Sequence, residues 1–275
     1  MTTIRGATRL AAVLGWPIEH SRSPQILNAA FAASGIDAVL VPIGVPPHGL
    51  AAAMGGLRAM QALGASVTIP HKLAVAALCD ELSPAARTIG AVNCLHIDGD
   101  HLIGHNTDEG GFSDGLLAAG FELRGARAVI LGAGGAARAV AHGLRGGRAI
   151  EVVARRPAEV TWAPAWPWDD DHLRDAFRRA DLVVDCTSIG LGGADEEAAT
   201  DALPLDALPA KAWVSTLVYH RQTRLLQRAR ELGYSTLDGK AMLVHQAARA
   251  FTIWTGSPAP IEIMTRALDD DLRGT

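Results

Sequence analysis

The sequence predicts an α/β protein built in two parts, and three observations carry that prediction. Short apolar runs alternate with helix-forming runs along most of the chain, which implies a mostly parallel sheet covered on both faces. Midway, Arg-Ala-Val-Ile-Leu-Gly-Ala-Gly-Gly-Ala-Ala-Arg (residues 127–138) gives a buried strand, a glycine turn and the start of a helix. Roughly 125 residues precede that unit, enough for a separate domain. With 275 residues, 49% of them apolar and 20% charged, the chain can build one large or two modest domains around a substantial core. The expected division is a first α/β domain ahead of the glycine unit and a second domain that contains it.

The elements follow in order. Residues 11–15 are a short apolar run closed by Gly15-Trp16-Pro17, hence a strand. Ser23 supplies an N-cap, with Pro24 at the first helical position. That helix carries Ile26, Leu27, Ala30 and Phe31 and stops at Gly35. A second strand is predicted over 38–45, a helix over 49–60 weakened by Gly55-Gly56, a third strand over 64–70 closed by Pro70, and a helix over 73–79. Residues 91–97 and 101–105 flank Asp98-Gly99-Asp100 as a hairpin. A helix over 108–120 leads to the glycine unit, whose second strand covers 149–154. The Trp-, Pro- and Asp-rich stretch 161–171 is expected to be an irregular loop, and 190–209 a long loop or broken helix. Strands over 181–185 and 213–219 and helices over 222–232 and 241–254 complete the prediction.

The glycine turn has a specific chemistry. Gly132 permits the tight turn, Gly134 lets the backbone approach a pyrophosphate, and Ala137 lets the helix pack close to its strand. Ala133, Gly135 and Ala136 complete a helix N-terminus whose N–H groups and positive dipole end suit phosphate. The pattern predicts a doubly wound, Rossmann-type domain that binds a dinucleotide. NAD binders place an acid about 20 residues after the first glycine. Here the strand ends Val-Val-Ala-Arg155-Arg156, with no acid, so the two arginines favour a 2′-phosphate and NADP over NAD.

Composition excludes several classes. A net charge of −4 gives no electrostatic basis for binding nucleic acid or anionic membrane, and no apolar run has the length to span a bilayer. Three scattered cysteines, Cys79, Cys94 and Cys186, suit neither a disulfide framework nor a zinc site. With no signal-peptide pattern in Met-Thr-Thr-Ile-Arg, a cytoplasmic protein is expected, monomeric or homodimeric. His101 and His105 are four apart, but Gly104 between them argues against a helical metal site, and no metal is expected.

Seven segments, in order along the chain, together resemble the shikimate dehydrogenase family. They are Gly15-Trp-Pro-Ile-Glu-His-Ser-Arg-Ser-Pro24, Val67-Thr-Ile-Pro-His-Lys72, Ile89-Gly-Ala-Val-Asn93, Gly104-His-Asn-Thr-Asp108, the glycine turn, Thr187-Ser-Ile-Gly190, and Gly239-Lys-Ala-Met-Leu-Val-His-Gln246 with Trp254-Thr-Gly256. The resemblance implies an oxidoreductase that interconverts shikimate and 3-dehydroshikimate with a nicotinamide cofactor. It also implies a substrate domain over 1–108, joined by C-terminal helices over 241–275, a Rossmann domain over 109–240 and a site in the cleft between them.

The chemistry of the residues agrees. Oxidising a secondary alcohol needs a hydride acceptor and a nearby proton acceptor. Lys72 follows a proline-terminated strand, where α/β ligand crevices form, and Asp108 is expected to end another strand. By resemblance, Lys72 is the general base and Asp108 orients it and the substrate. Ser21 and Ser23 match carboxylate-binding serines, and Thr68, Asn93, Asp108 and Gln246 match positions that hold ring hydroxyls. Tyr219 matches a tyrosine near the carboxylate, although a strand-end aromatic could equally serve packing. Thr187, Leu217 and Gly239 are implied cofactor contacts.

The chain also departs from the family. Ser66 stands where Asn is usual, and Ser215-Thr216 replace the usual Asp before Leu-Val-Tyr. The stretch Tyr219–Thr223 is one residue short and lacks a common proline. Two further readings therefore stand beside the first: a quinate or related cyclic polyol-acid dehydrogenase, and a non-catalytic nucleotide-binding regulatory protein.

Overall fold

The computed structural model describes residues 4–193 and 195–274. In chain order its elements begin β1 (Arg9–Gly15), α1 (Ser23–Ala33), β2 (Ala38–Gly44), α2 (Leu50–Ala59), β3 (Gly64–Val67), α3 (Lys72–Ala76), β4 (Glu81–Leu82), α4 (Pro84–Ile89), β5 (Cys94–Asp98), β6 (His101–His105) and α5 (Asp108–Ala118). They continue β7 (Arg127–Leu131), α6 (Gly135–Gly143), β8 (Ala149–Ala154), β9 (Ala165–Pro167), α7 (Asp170–Arg178), β10 (Leu182–Asp185) and α8 (Glu196–Asp201). The last are β11 (Trp213–Thr216), α9 (Arg224–Glu231), β12 (Ser235–Leu237), α10 (Gly239–Thr255) and α11 (Ile261–Arg273). The chain divides into two compact units: one runs through Gly111 and resumes at Val244, the other is Phe112–Leu243.

The first unit holds a six-stranded sheet in the order β2-β1-β3-β5-β6-β4. β1 runs parallel to β2 and β3, whereas β5 is antiparallel to both β3 and β6. The sheet is therefore mixed rather than uniformly parallel: the hairpin turning at Asp98-Gly99-Asp100 reverses direction beside β3. Strand alternation separates two apolar faces. Ala12, Leu14, Ala65 and Val67 point to one core, covered by Leu50, Met54 and Leu57 of α2 and by Val75 and Ala86. On the opposite face Gly64 lies under Trp254 of α10. A Cβ at Gly64 would come within 2.2 Å of the Leu95 carbonyl oxygen and 2.3 Å of Trp254 Nε1, so only glycine fits. Trp254 Nε1 donates to that same Leu95 carbonyl at 3.0 Å, fixing α10 to the sheet.

Two local expectations change. Ser23 does not cap α1: Arg22 occupies the cap position and Ser23 is the first helical residue. Pro24, with no N–H to satisfy, sits one position further in, and the hydroxyl of Ser21 takes the acceptor role, receiving the Ser23 amide at 3.4 Å. Asp108 does not end a strand. β6 stops at His105, and Asp108 opens α5, where the side-chain oxygen of Asn106 accepts its amide at 3.2 Å.

The second unit has a fully parallel sheet in the order β12-β11-β10-β7-β8-β9. β7 and β10 are neighbours although β8 and β9 separate them in sequence. The strand order thus reverses between them, at the position where open α/β sheets bind ligands. One face packs Leu173 and Phe177 of α7 with Leu225, Leu226 and Ala229 of α9, and the other packs Phe112 and Leu116 with Ala137 and Val140 of α6. The stretch 161–171, expected to be a loop, contains β9 and the start of α7. Asp169 caps that helix by accepting the His172 amide at 2.9 Å. The stretch 190–209 contains α8 flanked by short 3-10 turns.

Asp185, at the end of β10, is only 4% exposed. Its Oδ1 accepts the amide and hydroxyl of Thr187 at 2.9 and 2.6 Å. Burial pushes its carboxyl above the ordinary 3.8 and the charge of Glu196 adds to this, outweighing the two Thr187 hydrogen bonds, which lower it. An acid with a raised folded pKa costs nothing where it is neutral in both states, below about pH 3.8. The cost builds as pH rises from there to the folded value and stays constant above it. Asp185→Asn keeps an acceptor for Thr187 without the charge. The variant should therefore melt higher at pH 7, on the order of 2–4 °C for about 1 kcal/mol, with the gain vanishing in acid. Thermal melts at both pH values check this, and an equal or lower Tm at pH 7 would contradict it.

Candidate active site

A buried polar network sits where β3 and β6 of the first unit end and β5 begins. Lys72 opens α3 and Asp108 opens α5; Lys72 Nζ donates to Asp108 Oδ2 at 2.6 Å. The lysine side chain is 31% exposed and the aspartate 9%, so the pair has a buried carboxylate end and an ammonium end that solvent or a ligand can reach. Asn93 holds the other carboxylate oxygen. Its Nδ2 donates to Asp108 Oδ1 at 2.6 Å and to Thr107 Oγ1 at 3.0 Å, while its Oδ1 accepts the Thr107 amide at 2.6 Å. Because a backbone N–H must meet oxygen, the amide orientation is determined and its NH₂ faces Asp108. The carboxylate also lies at the positive end of α5.

The backbone beneath Lys72 is pinned from two sides. His71, 1% exposed, donates from Nε2 to the Val45 carbonyl at 2.7 Å, and the Lys72 carbonyl accepts the Val92 amide at 2.8 Å. Sequence reasoning missed His71, Asn106 and Thr107. All three lie inside the motifs given above, and for the two that precede Asp108 the turn-forming side chains were the available signal.

The other first-unit candidates are placed by local contacts of their own. Thr68 follows β3; its methyl group crowds Gly15, where a Cβ would approach to 2.6 Å. Ser21 and Ser23 flank Arg22, whose Nη1 lies 2.8 Å from Asp271 Oδ2 on α11, tying the serine segment to the C-terminal helix. Gln246, 9% exposed on α10, packs on Gly111, where a Cβ would come within 2.6 Å of the Gln246 backbone. Gly110 and Gly111 thus let α10 lie directly on the first turn of α5, beside Asp108. Ser66 is buried and its Oγ has no hydrogen-bond partner among the described residues.

In the second unit, a cavity of about 600 Å³ opens where β7 and β10 end, lined by Gly132, Ala133, Gly134, Arg155, Arg156 and Thr187 among others. Gly132 has φ +97°, and a Cβ there would lie 3.2 Å from the Thr187 methyl and 3.3 Å from the Cys186 carbonyl. Left-handed backbone and close approach to the end of β10 both demand glycine. Gly134 caps α6, Gly135 and Ala136 form its first turn, and fully buried Ala137 seats the helix on the sheet. These features fit a pyrophosphate at a helix N-terminus, and the two arginines at the end of β8 fit a further phosphate. Glu159, missed in the sequence, also lines the cavity and accepts from Arg156 Nη1 at 3.0 Å in an exposed pair of small energetic weight. Leu217 and Gly239 meet backbone to backbone: a Cβ at Gly239 would be 2.1 Å from the Leu217 carbonyl oxygen. Tyr219 is half-buried in this unit with its ring edge-on to His220, centroids 5.6 Å apart. Among the described residues, no group of three or more His, Cys, Asp or Glu is arranged to hold a metal ion.

Comparison with known proteins identifies the family. Residues 13–95 match the family model described as the shikimate dehydrogenase substrate binding domain, and residues 241–268 match the shikimate 5′-dehydrogenase C-terminal domain. The chain is 42% identical to the NADP(+) shikimate dehydrogenase of Symbiobacterium thermophilum, over 99% of this chain and 98% of that protein. Among solved structures it is similar to Listeria monocytogenes shikimate 5-dehydrogenase in complex with shikimate and NAD (TM-score 0.88, 34% identity, 96% of this chain and 98% of that one). It is also similar to the Thermus thermophilus enzyme in complex with NADP(H) and shikimate (TM-score 0.85, 34% identity, 95% and 99%). The match runs the length of both domains, and the chain belongs to the shikimate dehydrogenase family.

Proposed function

We propose that this chain interconverts shikimate and 3-dehydroshikimate with NADP, and that the Lys72–Asp108 pair fixed by Asn93 carries the proton chemistry. The single observation that bears most on this reading is the 2.6 Å contact from Lys72 Nζ to a carboxylate held on both oxygens. NADP, when bound, supplies the nicotinamide carbon that accepts hydride from the secondary alcohol. In the alcohol-oxidising direction Lys72 must act from its neutral amine form, whose lone pair takes the alcohol proton to give the ammonium; in the reverse direction the ammonium gives that proton back. Asp108 limits the lysine to one position and stabilises the ammonium formed when the proton arrives.

Binding divides along the same chemical lines. Ser21 and Ser23 donate hydroxyl hydrogens to the substrate carboxylate, with Tyr219 near it; Thr68, Asn93, Asp108 and Gln246 hold ring hydroxyls. The first unit serves as the substrate domain. In the second, Gly132 to Ala136 cradle the pyrophosphate, Arg155 and Arg156 take the 2′-phosphate, and Thr187, Leu217 and Gly239 flank the rest of the dinucleotide. The NADP(+) name of the Symbiobacterium thermophilum relative supports this cofactor choice. Among the described residues no helix is long and apolar enough to cross a membrane. The free thiols Cys79, Cys94 and Cys186 support a cytoplasmic setting, with the chain acting as a monomer or homodimer.

One observation favours a second reading, a related cyclic polyol acid such as quinate. Ser66 brings a buried, unpartnered hydroxyl to the place where the family usually has a longer amide.

Lys72→Ala should lower kcat by about 10²–10⁴-fold while leaving NADP binding intact; steady-state rates and a binding titration check both, and retention of most activity would sink the mechanism. Removing both Arg155 and Arg156 (each →Ala) should raise the KM for NADP about 10–100-fold and that for NAD far less. Equal effects on the two cofactors would remove the 2′-phosphate argument.

A further inference from the structure

Two walls of the second unit's cavity have no strand or long helix of their own to hold them. One is the short segment Thr187–Ile189, and the other is α8, which contributes Ala199, with Ala202 just beyond it. Both are tethered to the chain around α9 by buried or half-buried polar contacts. Arg221 Nη1 donates to the Gly190 carbonyl at 2.9 Å and also to Glu196 Oε2 at the start of α8. Glu196 is 8% exposed, and its second oxygen accepts the Arg224 amide, the first of α9, at 3.1 Å. The far end of α8 is held as well: Arg228 Nη1 donates to the Thr200 carbonyl at 2.7 Å and to the Leu203 carbonyl at 3.1 Å. Gly190 itself is buried against Thr223 and Val218, where a Cβ would come to 3.0 and 3.3 Å. The Thr187–Gly190 segment therefore lies flat on the stretch that carries Arg221.

We propose that Arg221, through Glu196 and the Gly190 carbonyl, is a positioning residue that holds both cavity walls in the geometry that binds the dinucleotide. This rests on the cofactor reading above. A single guanidinium bonded to two walls fixes segments that would otherwise have to be ordered when the ligand arrives, so losing it moves that cost into binding. A charge-assisted pair whose carboxylate end is shielded suits this role, because breaking it leaves the carboxylate of Glu196 without its charged partner.

The test is isothermal titration of NADP into the wild type, Arg221→Gln, Arg221→Lys, Glu196→Gln, the Arg221→Gln/Glu196→Gln double variant, and Arg174→Gln. The last is a control that removes an exposed pair with Asp206 on the same unit. Thermal melts and steady-state kinetics accompany the titrations. Arg221→Gln and Glu196→Gln should each weaken NADP about tenfold, equivalent to 1.4 kcal/mol. The double variant should be little worse than either single one, because both break one device. The loss should fall on Kd and KM for NADP with kcat at saturating cofactor retained. Arg221→Lys should recover most of the affinity, and the control should match wild type. Wild-type NADP affinity in Arg221→Gln would overturn the clamp alone. So would losses that add in the double variant, or a fall in kcat and Tm with no preferential loss of NADP. A wild-type protein that does not bind NADP would instead overturn the cofactor reading and the clamp with it.

Discussion

The first unit is organised around the need to satisfy one buried carboxylate. An ionised carboxylate removed from water is tolerated only when its oxygens are hydrogen-bonded and its charge is compensated. Asp108 meets both conditions with Lys72 on one oxygen, Asn93 on the other and the N-terminus of α5 beneath it. Each partner then needs its own support. Asn93 is held in orientation by Thr107, the turn into α5 by Asn106, whose amide donates to the Ala91 carbonyl at 3.0 Å, and the backbone at Lys72 by His71 and Val92. The ends of β3 and β6 and the start of β5 thus converge on a fixed charge pair whose ammonium end is open.

The second unit solves a different problem with backbone alone. Placing phosphates at the reversal of a parallel sheet requires the chain to turn sharply at the end of β7 while passing close to the end of β10. Gly132 does so with a left-handed backbone and no side chain between it and Cys186. The helix that follows sits close because Ala137 is small and fully buried. Positive charge enters at the end of β8, where Arg155 and Arg156 border the cavity.

Much of this was legible in the residues, and the failures share physical causes. The glycine turn and the alternation of apolar runs announce a doubly wound domain, because each fingerprint position answers a steric demand that few other sequences meet. β9, three residues long, and β4, two residues long, have too little period to be seen. α7 hides behind a stretch rich in Trp, Pro and Asp, although Asp169 is an ordinary helix cap. Asp108 reads as a strand end because the alternating run through His105 continues into Asn-Thr-Asp; only the side chain of Asn106, folding back on the Asp108 amide, turns the chain into a helix there. The mixed sheet comes from the β5–β6 hairpin, whose turn was visible but whose pairing with β3 is a long-range choice. In the site, the motifs point to Lys72 and Asp108, whereas the support from His71 becomes visible only when its segment meets Val45.

The measurement that tests the account most directly is the set of initial rates of cofactor reduction by the purified protein with shikimate or quinate, each with NADP or NAD. The account predicts that shikimate with NADP is turned over fastest, with NAD and quinate each slower. Negligible turnover of shikimate with either cofactor, alongside turnover of quinate, would contradict it and make Ser66 the mark of a different substrate.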